Sequence, residues 1–571
     1  MRCGPAILRC VYTLQPAIGS RADSDSQTID NTTQGVIMNK RSESSPTYDA
    51  IIIGAGITGI HQLYALLRIG LRVRLFDAAS GVGGTWYWNR YPGARFDSES
   101  YSYALGFSQE LLDEWQWSEH FAGQPEIERY LNFVTDRFQL RPHIQLNARI
   151  AATVYDEQST QWTVRTENGE QATARFVIAA VGFMSAPYTP QISGMDGFAG
   201  TAFHTARWPH EAIDFSQQRV GVLGTGPTAV QVIQEICKAV GHLTIFQRTP
   251  VYACPLRNGP IEGEEAQYIR THAAELIARS RQTYAGFLHQ NDPRAALEVS
   301  PAEREAHFEA IWQGRGFSKW HANFHDTFTN RQANELYAEF VREKARQRIS
   351  DPRVAEKLLP RGYPFGAKRV PMESGYYEAY NRNNVELVDL RETPIECITP
   401  RGVQTSVREF PLDYLIYATG FDAITGEFTR MDIRGAQGQT LKEEWATGMR
   451  NYLGLQVAGF PNFFIANAAV FSNVPRASEV VVDWITDCIA YMRANGFLSI
   501  STSAGAEARW AADAASTIAG AIFTEDESSW FMGANIPGKK REFLLYGGGC
   551  VAYRQKCAAV AQQGYEGFQF A

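Results

Sequence analysis

Gly54-Ala55-Gly56-Ile57-Thr58-Gly59 follows a short, mostly apolar run, Tyr48–Ile53, and opens a stretch with Ile57, Ile60, Leu63 and Leu67 at helical spacing. The next run, Leu71–Asp77, alternates as a strand and ends on an acid. Glycines in such a turn let backbone approach a pyrophosphate at a helix N-terminus, and an acid placed like Asp77 can bind the ribose hydroxyls. A bare G-x-G-x-x-G is weak evidence. Strand, turn, helix, strand and acid in one unit make a strong case for dinucleotide binding.

The pattern returns later in the chain. Val220–Leu223 reads as a strand, Gly224-Thr225-Gly226-Pro227-Thr228-Ala229 as the turn, Val230, Val232, Ile233 and Ile236 as the inward face of a helix, and Leu243–Phe246 as the second strand. Ala229 replaces the last glycine, where only a small residue is needed for packing. No acid follows; the chain reads Gln247-Arg248-Thr249. An acid would repel a 2′-phosphate and Arg248 would attract it, so this second site is expected to prefer NADPH over NADH.

Close behind the first unit lies Gly83-Gly84-Thr85-Trp86-Tyr87-Trp88, continuing to Arg95-Phe96-Asp97. Three successive flat aromatics beside a dinucleotide site can line an isoalloxazine ring, with one acid closing the loop.

At 571 residues the chain suggests two or three domains. Two further apolar strands with Gly turns, Phe176–Gly182 and Tyr414–Gly420, bracket the second unit and look like crossings between domains. The expected fold is α/β with two Rossmann-like dinucleotide-binding domains, the second inserted in the first. The expected boundaries are a disordered tail over 1–45, a first part over 46–185, a second domain over 186–415 with a charged helical excursion at 262–356, and a returning part over 416–571. Within that last part, Ser478–Met492 reads as a helix, Trp530–Lys540 as a loop and Leu544–Tyr546 as a final strand.

Composition is that of a globular protein, 44% apolar and 20% charged. A net charge of −7 without a long basic run argues against nucleic acid as partner. The eight cysteines contain no C-x-x-C pair, which excludes a dithiol redox motif and gives no zinc site; scattered single cysteines indicate a reduced, cytoplasmic setting. No stretch reaches the roughly 18 apolar residues of a membrane span. Arg2 and Arg9 without an early acid give a faint transit-peptide flavour, Met38 is an alternative start, and Asn31-Thr32-Thr33 reads as a chance sequon.

Between the two Gly turns lies Phe198-Ala199-Gly200-Thr201-Ala202-Phe203-His204-Thr205-Ala206-Arg207-Trp208-Pro209. It is too irregular for a predicted strand or helix and reads as a connector that senses both units. Its F-x-G-x-x-x-H-x-x-x-W spacing resembles the fingerprint of the Baeyer-Villiger monooxygenases. The stretch Gly83–Asp97 likewise resembles the family's second signature at every fixed position. The resemblance covers roughly residues 46 to 570.

It implies an FAD- and NADPH-dependent enzyme that converts a ketone to an ester or lactone with O2 through a C4a-peroxyflavin. Family members in specialised (secondary) metabolism act on polyketide- or terpenoid-derived ketones. By the resemblance, Thr85, Trp86, Tyr87, Trp88, Asp97 and Tyr103 contact FAD, and Arg95, Phe96 and Asp97 approach NADP. Lys368, in Phe365-Gly366-Ala367-Lys368-Arg369, joins Arg248 on the 2′-phosphate, and Arg369 faces the flavin as the catalytic cation with Asp97 holding it. An arginine suits an anionic peroxide and an alkoxide-like adduct, because its charge is permanent and its donors lie in a fixed plane. Trp530 is implied at the nicotinamide, Phe471, Ser472 and Val474 at the substrate, and His204 in a structural role. One departure is Ala466-Asn467-Ala468-Ala469-Val470, where the family has a Gly-Pro-rich loop. The rival readings are a flavin monooxygenase acting on nitrogen or sulfur, which has no use for Arg369, and a non-catalytic flavoprotein.

Overall fold

Every residue of Ala50–Ile53 is buried, so the strand Thr47–Ile53 shows no polar alternation where it crosses the centre of its sheet. Such runs form where both faces of a sheet are covered. The computed structural model describes residues 46–467, 470, 472–526 and 529–571. The expected tail, with Met38 and the sequon, lies outside them, as does Phe471.

Thr47–Ile53 pairs in parallel with Val73–Phe76 on one side and Gln171–Ala179 on the other, with Ile53 in register with both Phe76 and Ala179. The eight-stranded sheet continues through Gln161–Thr166 and Ile150–Asp156 to Asp432–Arg434 at one edge and through Ile144–Gln145 at the other; Phe463–Ile465 also joins Gln171–Ala179. Ile52 packs with Ile60 and Leu63 of the helix Ile57–Arg68, and with Val481 and Ile485 of the helix Val474–Asn495. Ile51 and Ile53 face the other way, towards Trp162 and Phe463.

The second sheet has five parallel strands, ordered Val385–Asp389, His242–Gln247, Arg219–Leu223, Tyr414–Tyr417 and Thr201–His204. All five lie in sequence between the parts of the first sheet, so the second Rossmann-like domain is inserted in the first. The helical excursion comprises Gly263–Thr271, Ala273–Ser280, Pro301–Gln313, Ser318–His321, Arg331–Arg346 and Pro352–Leu358. Its core includes Phe317, Trp320 and Tyr337 and is shared with Phe365, Val370 and Phe531, so the helices wall one side of the site.

Two sequence expectations need correction. The connector does contain a strand: Thr201–His204 is an edge strand bound to Tyr414–Tyr417, with His204 opposite Tyr417, and Thr205–Arg207 follows as a single 3-10 turn. An edge strand needs one partner and little alternation, so its pattern is weak. Leu544–Tyr546 is not a strand. Leu544 and Leu545 fill a small cluster with Ala423 and Ile424, and Tyr546 makes one bridge to Val470. The last strand is Phe568–Phe570, paired with Ile500–Thr502.

Three histidines, His61 and His204 buried and His321 half-buried, are held neutral. Burial lowers His61 and His204 to about 4 and His321 to about 3. Below the unfolded value near 6.5 the unfolded chain binds protons that the folded chain refuses, so stability falls as pH drops from about 6.5 towards 4. At pH 5 each histidine contributes up to ~2 kcal/mol of this loss. A melting temperature several degrees lower at pH 5 than at pH 7 is expected, with a flatter profile for His321→Phe. An unchanged profile in that variant would remove His321 from the account.

Candidate active site

The C-terminal ends of both sheets open on one cleft of about 730 Å³. Gly54, Gly56 and Asp77 line it from the first unit, and Gly224, Thr225, Gly226, Pro227, Thr228, Arg248 and Thr249 from the second. Both helices that start there, Ile57–Arg68 behind Gly56 and Pro227–Ile236 behind Gly226, lack a side-chain cap. Their first amide donors and the positive ends of their dipoles are left for an anion. Asp77 accepts from the Ala55 and Ala79 amides at 2.5 and 2.7 Å; burial raises its carboxyl pKa, against the pull of those amides. Thr225 Oγ1 donates to the Thr249 carbonyl at 2.7 Å, tying the second turn to the segment beside Arg248. Two open helix N-termini and a strand-end acid fit two dinucleotides.

Thr85, Trp86, Trp88, Arg95, Phe96 and Tyr103 also line the cleft. Trp86 Nε1 donates to Tyr103 Oη at 3.0 Å, and Phe96 packs on Tyr103 at 4.3 Å. Arg95 donates to the Phe121 carbonyl at 2.8 Å and pairs with Glu119 at 3.4 Å. Lys368, Arg369, Trp530, Ser472 and Val474 complete the predicted lining. Lys368 Nζ lies 3.4 Å from Asp526 Oδ2.

Arg369 reaches the cleft with Nη2 held 2.9 Å from Asp97 Oδ2. The same oxygen accepts from the Met372 amide at 3.2 Å. Asp97 is fully buried; burial raises its pKa, and the Arg369 guanidinium opposes that shift. Asp97 does not touch the cleft and lies behind the arginine. Gly59, Tyr87 and Ala229 also stay off the cleft surface. A Cβ on Gly59 would stand 1.8 Å from the Gly54 carbonyl oxygen, Tyr87 turns its hydroxyl to Ser80 at 2.6 Å, and Ala229 is buried in the second core.

Several lining or linking residues escaped the sequence reading. Arg207 stacks on Trp88, Cζ 4.4 Å from the ring centroid, and only its place in the connector pointed to it. Asn467 clasps Gly182, accepting from its amide at 3.0 Å and donating to its carbonyl at 3.3 Å, within the loop that lacks Gly and Pro. Gln231 accepts from Tyr91 Oη at 3.0 Å and donates to the Arg95 carbonyl at 3.0 Å, joining the second unit's helix to the aromatic loop. Asn535 and Lys539 pin the C-terminal loop to the Phe421 carbonyl at 2.9 Å and to Asp422 at 2.6 Å.

Residues 51–255 match the family model described as pyridine nucleotide-disulphide oxidoreductase. An acetone monooxygenase (methyl acetate-forming) of Gordonia sp. (strain TY-5) is 42% identical over 92% of this chain and 99% of its own. A Baeyer-Villiger monooxygenase of Pseudooceanicola batsensis is 39% identical over 92% of this chain and 98% of its own. The chain belongs to the Baeyer-Villiger monooxygenases. A crystal structure of OTEMO in complex with FAD and NADP matches it with a TM-score of 0.89 at 42% identity, over 92% of this chain and 100% of that one. This Baeyer-Villiger monooxygenase uses FAD and NADPH to oxygenate ketones. Among the described residues, no helix is long and apolar enough to cross a membrane, and no group of three His, Cys, Asp or Glu could hold a metal.

Proposed function

We propose that Arg369 is the catalytic cation of this ketone oxygenation and that Asp97 positions it. The carrying observation is the pairing of Arg369 with the fully buried Asp97, which fixes one guanidinium edge and leaves the arginine on the cleft wall. Bound FAD, reduced by NADPH, supplies the oxygen-activating chemistry. The chain's part is to bind, orient and enclose. Trp86, Trp88 and Tyr103 wall the flavin side, while Arg248 and Lys368 receive the 2′-phosphate of NADPH. A guanidinium aimed at the ketone oxygen stabilises negative charge as it develops there and cannot lose its own proton. Phe287, Phe317 and Val474 line the cleft too, which supports an apolar ketone as substrate.

A cytoplasmic location is supported by Cys237, Cys254, Cys488, Cys550 and Cys557, none of which is bridged to another cysteine. The test is product analysis with the FAD-loaded enzyme, NADPH and air against a panel of apolar ketones. Ester or lactone formed in step with NADPH consumption is expected. Hydrogen peroxide alone with every ketone, or oxygenation of a tertiary amine in preference to all of them, would overturn the reading.

A further inference from the structure

Lys368 is a partly buried cation whose surroundings are unusual for a phosphate ligand. Its ammonium lies 4.6 Å from the centroid of the Tyr363 ring and 3.4 Å from Asp526 Oδ2. Asp526 is itself almost fully buried, at 6% exposure. It comes from the C-terminal segment, far from Lys368 in sequence, and that segment is anchored beside the lysine: Ser529 Oγ donates to the Ala367 carbonyl at 2.8 Å. The carboxylate is therefore delivered to Lys368 by a docked piece of chain.

We propose that Asp526 is a coenzyme-specificity residue that competes with the 2′-phosphate of NADPH for Lys368. The inference rests on the reading that Lys368 and Arg248 receive that phosphate. A phosphate monoester carries close to two negative charges at neutral pH. An ammonium offers three donors but a single charge, so it cannot neutralise a phosphate and a carboxylate together. With both anions on one lysine in a site shielded from solvent, their repulsion is poorly screened. NADPH must then displace Asp526 or bind against it, and by reciprocity Asp526 weakens NADPH as much as NADPH loosens the hold of Asp526 on Lys368. NADH has only a ribose hydroxyl at this place and escapes the competition. Asp526 thus limits the preference for NADPH that Arg248 and Lys368 create.

The test is calorimetric titration of NADP+ and NAD+ into the oxidised, FAD-loaded enzyme. Asp526→Asn, which keeps the side-chain shape, is expected to tighten NADP+ by about tenfold and to change NAD+ by less than about twofold. In a Lys368→Ala background the same substitution is expected to leave NADP+ unchanged. If Asp526→Asn does not fold, Asp526→Ser, smaller and equally uncharged, carries the same expectation. Unchanged NADP+ affinity, or equal weakening of both coenzymes, would overturn the proposal and leave Asp526 as a loop anchor. A Lys368→Ala enzyme that keeps the wild-type NADP+ to NAD+ ratio would instead remove the phosphate from Lys368, and the proposal would fall with that reading.

Discussion

An Arg369→Ala enzyme is expected to load FAD and be reduced by NADPH at close to the wild-type rate, yet to make almost no ester. Removing one preorganised electrostatic partner of a developing oxyanion typically costs about 10²–10³ in rate. Arg369 lies on the cleft wall, and its fixed plane comes from the Asp97 contact at 2.9 Å. Arg369→Lys keeps the charge but not the planar fork, and should fall between the two. Asp97→Asn should lower ester formation without altering NADP+ affinity, because its carboxylate acts on the arginine from behind. Anaerobic bleaching of the flavin and chromatographic ester yield separate the two half-reactions. Ester formation at the wild-type rate in Arg369→Ala would remove the arginine from the chemistry.

Gly59→Ala is expected to weaken FAD binding severely. The added methyl would lie 1.8 Å from the Gly54 carbonyl oxygen, and both partners are backbone, so no side chain can swing aside. The helix Ile57–Arg68 would have to move off the strand Thr47–Ile53, withdrawing its open N-terminus from the flavin pyrophosphate. Overpacking of this kind costs on the order of 1–3 kcal/mol or more in stability, and FAD affinity should drop by about 10² or more because the anion site itself is displaced. The second unit gives the control, since Ala229 already carries a methyl in a closed core. Ala229→Gly should therefore cost only about 1 kcal/mol of helix stability and leave NADP+ binding measurable. Retention of yellow colour through gel filtration by Gly59→Ala would contradict the expectation.

What the sequence made legible was local. A strand, a glycine turn and a helix follow one another within a few residues, so the two nucleotide units could be read directly, down to Asp77 at the strand end and Arg248 in place of an acid. The adjacent Lys368 and Arg369 were visible as residues, and the resemblance to the Baeyer-Villiger monooxygenases supplied their roles. The tertiary structure decided what joins distant segments. The Arg369–Asp97 contact links positions 272 apart and sets the carboxylate behind the guanidinium. Gln231 reaches the aromatic loop across 140 positions, Asn467 meets Gly182 across 285, and Thr201–His204 becomes a strand only because Tyr414–Tyr417 lies beside it. Turn geometry and helix periodicity are fixed by neighbours along the chain. Burial, pairing of charges and membership of a sheet edge depend on which segments meet in space, and periodicity along the chain carries little record of that.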